Sequence, residues 1–167
     1  MKNIILISLI SMFSISVFGQ SGDRIVKIKG DTLKVAIQSV SENSIIYTYP
    51  NEKATQTISK KNVKQIIYSS GRTENVTTPI VITGEGDWEK VILTTNPNEV
   101  EGLTNLGELQ GIGKSAMGGE KQTRPKAEKD IKIQAAKKSA FIIFVKSQNY
   151  TKSMMNTFII TGTAYGY

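Results

Sequence analysis

The chain has 167 residues, of which 39% are hydrophobic and 21% are charged, a composition that fits one ordinary domain or two small ones. It has no cysteine and no histidine, which excludes disulfides, zinc sites built on nitrogen or sulfur, cysteine nucleophiles and serine–histidine catalysis. The net charge of +7 is compatible with anionic lipid, anionic polysaccharide or nucleic acid as a partner, although a basic surface is more often simply solvated.

The first 19 residues have the pattern of a secretory signal peptide. A basic start at Lys2 precedes an apolar stretch over residues 4–18, and the small residue Gly19 follows it. The stretch is shorter than the ~20 residues that span a bilayer, so we expect cleavage at or near Gln20 rather than a retained anchor. No cysteine follows and no later stretch is apolar enough to span a membrane. The sequence therefore predicts export to the periplasm or beyond, in a Gram-negative envelope, without a lipid anchor.

Residues 24–68 contain five short runs in which apolar and polar side chains alternate, separated by turns. The clearest run is residues 32–40, in which Leu33, Val35 and Ile37 alternate with small or polar side chains, as in a half-buried strand. Gly30 and Asn43 mark two of the turns because both tolerate a left-handed backbone. Five strands at this spacing predict a small all-β barrel domain over residues 20–71.

The same region carries a recognisable sequence pattern. GDTL at residues 30–33 is followed by I-x-x-V-x-x-x-x-I-x-Y over residues 37–47, and then by I-x-x-x-x-V-x-x-I-x-Y-x-x-G over residues 58–71. This pattern resembles the small β modules of exported proteins from Bacteroidetes-type bacteria. The resemblance implies an SH3-like or Sm-like barrel and implies no particular ligand.

Small and polar residues without periodicity predict a linker over residues 72–79, so a second domain is expected over residues 80–167. Its expected elements are strands over residues 87–95 and 100–111, a loop over 114–123, a helix from Arg124, and strands over 141–145 and 156–165. The order β-β-α-β-β predicts an antiparallel sheet with one helix on one face. The predicted fold class is therefore α+β overall.

The helix and the strand that follows it are the strongest local signal in the chain. Pro125 is placed in the first helical turn, where its missing N–H leaves no partner unsatisfied. Ala127, Ile131 and Ala135 recur every four residues and so line one face of the helix. The apolar run over residues 141–145 is too short for a helix and predicts a buried strand.

Residues 127–140, AEKDIKIQAAKKSA, are followed by this strand and preceded by LGELQG at residues 106–111. The combination resembles the helix–strand unit of RcsF-type envelope stress-sensor lipoproteins. The resemblance covers the C-terminal third to half of the chain and implies a similar fold and a sensing role in the cell envelope. Those sensors carry disulfides and a lipidated cysteine, whereas this chain has no cysteine.

Three motifs carry residue types that can support chemistry. GIGKS at residues 111–115 ends like a phosphate-binding loop, but Glu108 stands where the first glycine is needed. Ser115 or Ser139 beside a lysine would make a serine–lysine pair, although nothing in the sequence fixes the geometry. The third motif is a set of carboxylates that alternate along an expected strand, Glu85, Asp87 and Glu89. They would offer oxygen ligands to calcium, although such residues more often form a solvated strand edge. No catalytic residue, cofactor or metal site is predicted.

Two surfaces are candidates for binding. Barrel tyrosines near lysines would stack nucleic-acid bases, although export makes nucleic acid an improbable partner; the residues are Tyr47, Tyr49 and Tyr68 with Lys60, Lys61 and Lys64. The second surface is on the helix, where Ile133 lies among Lys126, Lys129 and Lys137, away from the apolar face. An apolar residue ringed by lysines predicts a partner-docking point, the alternative being one stray exposed isoleucine.

The sequence as a whole favours an exported, non-enzymatic binding module of the bacterial envelope, with a sensing or structural role. The expected partner is an envelope protein or an anionic polymer. The alternative is a small cofactor-free hydrolase that works through carboxylates or a serine–lysine pair. The usual catalytic residue types are missing, which is why the binding module is preferred.

Overall fold

Two β-sheets, each with its own apolar core, form the protein in the computed structural model, which describes residues 22–167. The signal peptide predicted over residues 1–19 lies outside the described residues. One main helix lies on the second sheet, so the α+β class is confirmed at this level. Within the described range no helix has the length and apolarity needed to cross a bilayer.

The first sheet has six antiparallel strands in the order β4-β3-β2-β1-β5-β6. Its elements are β1 (Asp23–Lys27), β2 (Thr32–Val40), β3 (Ser44–Thr48), β4 (Thr55–Ser59), a 3-10 turn (Lys60–Asn62), β5 (Val63–Ile67) and β6 (Thr73–Asn75). The five strands expected from the alternation are all present. The alternating side chains close over a core that includes Ile25, Val35, Ile45, Ile58 and Ile66.

The predicted linker over residues 72–79 begins as part of this sheet. Strand β6 pairs with β5, with Glu74 opposite Ile66. Val76, just beyond β6, packs against the first core, and its N–H donates to the carbonyl of Lys64. Residues 73–75 therefore belong to the first sheet and Val76 to its core, although their polar composition had indicated a linker.

The second sheet has four strands in the order β7-β9-β10-β8, with the helix α1 on one face. Its elements are a 3-10 helix (Glu85–Lys90), β7 (Ile92–Thr94), a 3-10 turn (Pro97–Glu99), β8 (Thr104–Ser115), α1 (Glu120–Lys137), β9 (Ile142–Thr151) and β10 (Asn156–Gly166). The order β-β-α-β-β is confirmed. The expectation of a wholly antiparallel sheet is wrong, because β7 pairs with β9 in parallel. The chain between them includes β8 and α1, which is long enough for the crossover that parallel pairing needs.

Several element boundaries also differ from expectation. Of the strand expected over residues 87–95, only Ile92–Thr94 is a strand. Residues 87–90 belong to the 3-10 helix, in which the Asp87 carboxylate accepts hydrogen bonds from the N–H and hydroxyl of Thr83. Helix α1 begins four residues earlier than Arg124, at Glu120. Pro125 is therefore the sixth helical residue, where a proline leaves one carbonyl of the preceding turn without its usual partner.

Helix α1 lies unusually close to β8 because two glycines of that strand face it. A Cβ atom at Gly111 would lie 2.2 Å from the carbonyl oxygen of Ala127, and one at Gly113 would lie 1.9 Å from that of Thr123. Neither position has room for any side chain. These are the glycines of the GIGKS segment, so their role is close packing of helix on strand rather than phosphate binding.

The second core lies between α1 and the sheet. Ala127, Ile131 and Ala135 are fully buried on the helix, as the four-residue spacing predicted. Phe141 and Phe158 are the largest side chains beneath them. Small residues on the helix and glycines on the strand thus bring the two backbones together, and the aromatic side chains fill the remaining space.

The two sheets meet at a small polar junction. The Ser59 hydroxyl donates to the carbonyl of Glu99 at 2.8 Å, and the Asn62 amide donates to the carbonyl of Gly102. Ser59 and Asn62 are both buried at the end of β4 and in the turn that follows. Backbone atoms of the Glu99–Gly102 segment therefore satisfy polar groups that would otherwise be buried without partners.

Candidate functional site

The four residues predicted to form a docking point lie on one outer strip of α1. Lys126, Lys129 and Lys137 are exposed, and Ile133 between them is partly exposed. Ile133 is not among the apolar side chains packed on the second core. We call these four residues the basic strip.

Each lysine of the basic strip also contacts a neighbouring element. Lys126 Nζ donates to the carbonyl of Lys114 on β8 at 3.1 Å. Lys129 Nζ lies 5.0 Å from the ring centre of Trp88, within the range of a cation–π contact. Lys137 pairs with Glu85 at 3.0 Å. These contacts hold the strip in place between β8 on one side and the Glu85–Lys90 helix on the other.

A second row of side chains on α1, which sequence reasoning missed, covers the free edge of β8. Within the sheet, β8 pairs only with β10, so its other edge carries unpaired backbone groups. Four side chains of α1, spaced four residues apart, form hydrogen bonds with that edge, and we call them the edge ladder. Three of them donate to backbone carbonyls: Lys126 to that of Lys114 (3.1 Å), Gln134 to that of Gln110 (2.8 Å) and Lys138 to that of Leu106 (3.0 Å). The fourth, Asp130, accepts the N–H of Ile112 (2.9 Å).

The edge ladder changes the interpretation of the helix surface. Lys126 belongs to both rows, so part of its hydrogen-bonding capacity is used inside the molecule. The recurrence of a polar side chain at positions 126, 130, 134 and 138 was visible in the sequence. What the sequence did not show is that the edge of β8 lies alongside that row.

The two serines considered for catalysis have structural roles. The Ser115 hydroxyl accepts the N–H of Gly118 at 2.9 Å and so shapes the turn between β8 and α1. Ser139 has a φ of 57° and ends the helix, its N–H donating to Ala136 O while that of Ala140 donates to Ala135 O. This is the Schellman arrangement, which normally uses glycine. Among the described residues, neither hydroxyl is hydrogen-bonded to a lysine.

The three carboxylates considered for calcium are separated by the 3-10 helix that carries them. Glu85 pairs with Lys137, whereas Asp87 is bound by Lys90 at 2.6 Å and by Thr83. The hydrogen bond from Lys90, assisted by Thr83, holds the pKa of Asp87 well below its usual range. In the part of the chain that the structure covers, no three acidic side chains converge as metal ligands.

The three tyrosines proposed as a base-stacking surface make contacts within the first sheet. Tyr47 is buried and meets Tyr49 edge to face, with ring centres 5.5 Å apart. Burial, with the neighbouring Tyr49 hydroxyl, raises the pKa of Tyr47 to about 12. Tyr68 donates to Glu74 at 3.0 Å, and the Arg72 guanidinium covers its ring at 3.9 Å. The three rings therefore do not form one stacking platform.

A shallow cleft of about 390 Å³ lies where the first sheet leads into the second. It is lined by Lys64, Asn75, Val76, Thr77, Thr78 and Pro79. Asn75 accepts a hydrogen bond from Gln65, and the Thr77 hydroxyl donates to the carbonyl of Lys60. These two hydrogen bonds occupy polar side chains of the cleft and hold the segment that connects the two sheets. Of the residues that line the cleft, only Lys64 carries a charge.

Comparison with known proteins found no relative: no protein-family model, no curated protein and no solved structure matches the chain. The resemblances to RcsF-type sensors and to SH3-like modules therefore stay predictions from short sequence motifs.

Proposed function

We propose that this protein is an exported, non-enzymatic binding module of the bacterial cell envelope, with the basic strip of α1 as its contact surface. The observation that supports the proposal is the position of Ile133. It is partly exposed, it contributes nothing to the second core, and three exposed lysines surround it. An apolar centre with a basic rim suits a partner that is apolar in the middle and acidic at the edge.

The contacts of the strip support binding further because they order it in advance. Lys129 over Trp88 and Lys137 beside Glu85 are held on the side of the strip nearest the Glu85–Lys90 helix. Side chains that are already ordered lose less conformational entropy when a partner binds. The partner class that we propose is therefore an acidic envelope protein, or an anionic envelope polymer that offers the same charge.

Affinity capture from an envelope extract tests the contact surface. We expect Ile133→Ala and Lys129→Glu to weaken capture of the same component, while Lys34→Glu, an equal charge change on exposed β2, leaves capture unchanged. Equal capture by all variants would overturn the assignment of the surface. Thermal unfolding of each variant checks that the fold is intact.

Mass spectrometry of cell fractions tests export. We expect the protein in the periplasmic or secreted fraction, with its N-terminus at or near Gln20. An intact chain that still begins with Met1 and remains in the cytoplasm or the membrane would contradict the proposal independently of the binding assay.

A further inference from the structure

Three methionines form an exposed apolar tip at one end of the second sheet. Met117 is 100% exposed, Met154 is 97% exposed and Met155 is 48% exposed. Met117 lies in the connection between β8 and α1, and the other two lie in the turn between β9 and β10. We call these three residues the Met tip.

Hydrogen bonds hold the two connections of the Met tip side by side. The Asn156 amide donates to the carbonyl of Gly118 at 3.0 Å, and Asn156 is also paired with Ser115 across the sheet. Gly118 follows Met117 directly, and Asn156 follows Met155 directly. The methionines therefore project from one ordered end of the domain rather than from two unrelated loops.

The surroundings of the Met tip are basic. Lys114, Lys121 and Lys152 are exposed in the same two segments. Residues 114–125 and 150–157 contain a single acidic residue, Glu120, and it is ion-paired with Arg124. The charge that remains around the tip is therefore positive, which complements an anionic surface.

The position of the tip leaves it accessible. Strand β8 starts next to the junction with the first sheet, where Gly102 accepts its bond from Asn62, and ends at Ser115 beside the tip. Twelve strand residues span roughly 35 Å. The first sheet is therefore attached at the opposite end and does not cover the tip.

We propose that the Met tip docks on an anionic phospholipid surface, with its methionines among the acyl chains and its lysines among the headgroups. Fully exposed side chains on a projecting turn can enter a fluid layer without a preformed groove, and methionine adapts to irregular apolar surroundings. Lysine stems contact the apolar layer while their ammonium groups stay at its anionic boundary. The surface is separate from the basic strip and does not depend on the function proposed for it.

Co-sedimentation with vesicles tests the proposal. The vesicles are phosphatidylcholine alone, or phosphatidylcholine and phosphatidylglycerol in equal parts. The protein is used as the cell produces it, and every variant carries the same N-terminus, so any contribution from residues 4–18 is common to all. The test variant is Met117→Ser with Met154→Ser, and the control is Val81→Ser, which changes an exposed valine outside the tip.

We expect the protein to bind the phosphatidylglycerol vesicles, to bind them less at high salt, and to bind the neutral vesicles weakly. The double variant should lose at least about tenfold in affinity, since transfer of one methionine out of water is worth about that factor. Val81→Ser should bind normally, and all variants should unfold at the same temperature. The proposal would be overturned if the protein does not bind the vesicles, or if the double variant binds them as well as the unaltered protein does. It would also be overturned if the tip captures a protein but binds no vesicles.

Discussion

The N–H of Ile112 donates to the Asp130 carboxylate at 2.9 Å, which joins the free edge of β8 to α1. An edge strand of twelve residues is normally a template for pairing with another chain. Here the Asp130 side chain bonds to the edge where the next strand would otherwise pair. Lys126 and Gln134, one helical turn away on either side, also bond to this edge. The helix is thus both the cover of the second core and the protection of the sheet edge.

Removal of the edge ladder should expose β8. Asp130→Ala should lower the free energy of unfolding by about 1 kcal/mol, because one backbone N–H loses its partner. Asp130→Ala with Gln134→Ala should also promote self-association, measured by light scattering, and speed hydrogen exchange at Ile112. Lys132→Ala, on the same helix but outside the ladder, is the control. Unchanged exchange at Ile112 would show that the ladder does not protect the edge.

The close approach of α1 to β8 predicts a large effect of one methyl group. Gly113→Ala should destabilise by about 3 kcal/mol or more, because its Cβ would lie 1.9 Å from a backbone oxygen. Gly86→Ala is the control, since a Cβ there meets nothing within 4 Å. Thermal or denaturant unfolding compares the two. Similar free energies of unfolding for the two variants would mean that α1 can move away from β8 at little cost.

The two isoleucines of α1 should respond very differently to truncation. Ile131 is fully buried, so Ile131→Ala should cost about 2–5 kcal/mol in denaturant unfolding. Ile133 is partly exposed and outside the core, so Ile133→Ala should stay within about 0.5 kcal/mol. Equal losses would place Ile133 in the core and remove the apolar centre of the basic strip.

Stability should fall at alkaline pH because of Tyr47. In the unfolded chain a tyrosine has a pKa of about 10, whereas burial raises the pKa of Tyr47 in the folded protein to about 12. Below pH 10 the phenol is neutral in both states and contributes no pH dependence. Between these values only the unfolded state loses the proton, so the free energy of unfolding should fall as pH rises. Tyr47→Phe should flatten this part of the curve.

Much of the first sheet was predictable from its sequence because alternation alone defines a half-buried strand. The bounds of β2, Thr32–Val40, were predicted correctly. The buried face of α1 followed from its four-residue spacing for the same reason. These features depend on neighbours in sequence.

The features that were missed depend on contacts distant in sequence. Glu85–Lys90 alternates like a strand, yet Asp87 folds back on Thr83 and Trp88 packs on the second core. The parallel pairing of β7 with β9 and the extension of β9 into the polar residues up to Thr151 both require the partner strand. The edge ladder needed the position of β8 as well as the periodicity of α1.

The candidate site was predictable only in part. The sequence placed Lys126, Lys129, Ile133 and Lys137 on one side of α1, and exposure of the lysines agrees with that placement. It did not indicate that Lys126 also bonds to β8 or that Glu85 would lie beside Lys137. The Met tip was missed because its parts lie more than thirty residues apart and are brought together by the pairing of β8 with β10 and by the bond between Asn156 and Gly118.

In-cell photo-crosslinking from α1 is the sharpest test of this helix as a binding surface. A photo-reactive amino acid in place of Ile133 should give one discrete adduct with an envelope component, and Lys129→Glu in the same chain should reduce it. The same amino acid in place of Lys34, exposed on β2, should not give that adduct. Absence of an adduct from position 133, or the same adduct from both positions, would contradict the account of α1 as the binding surface.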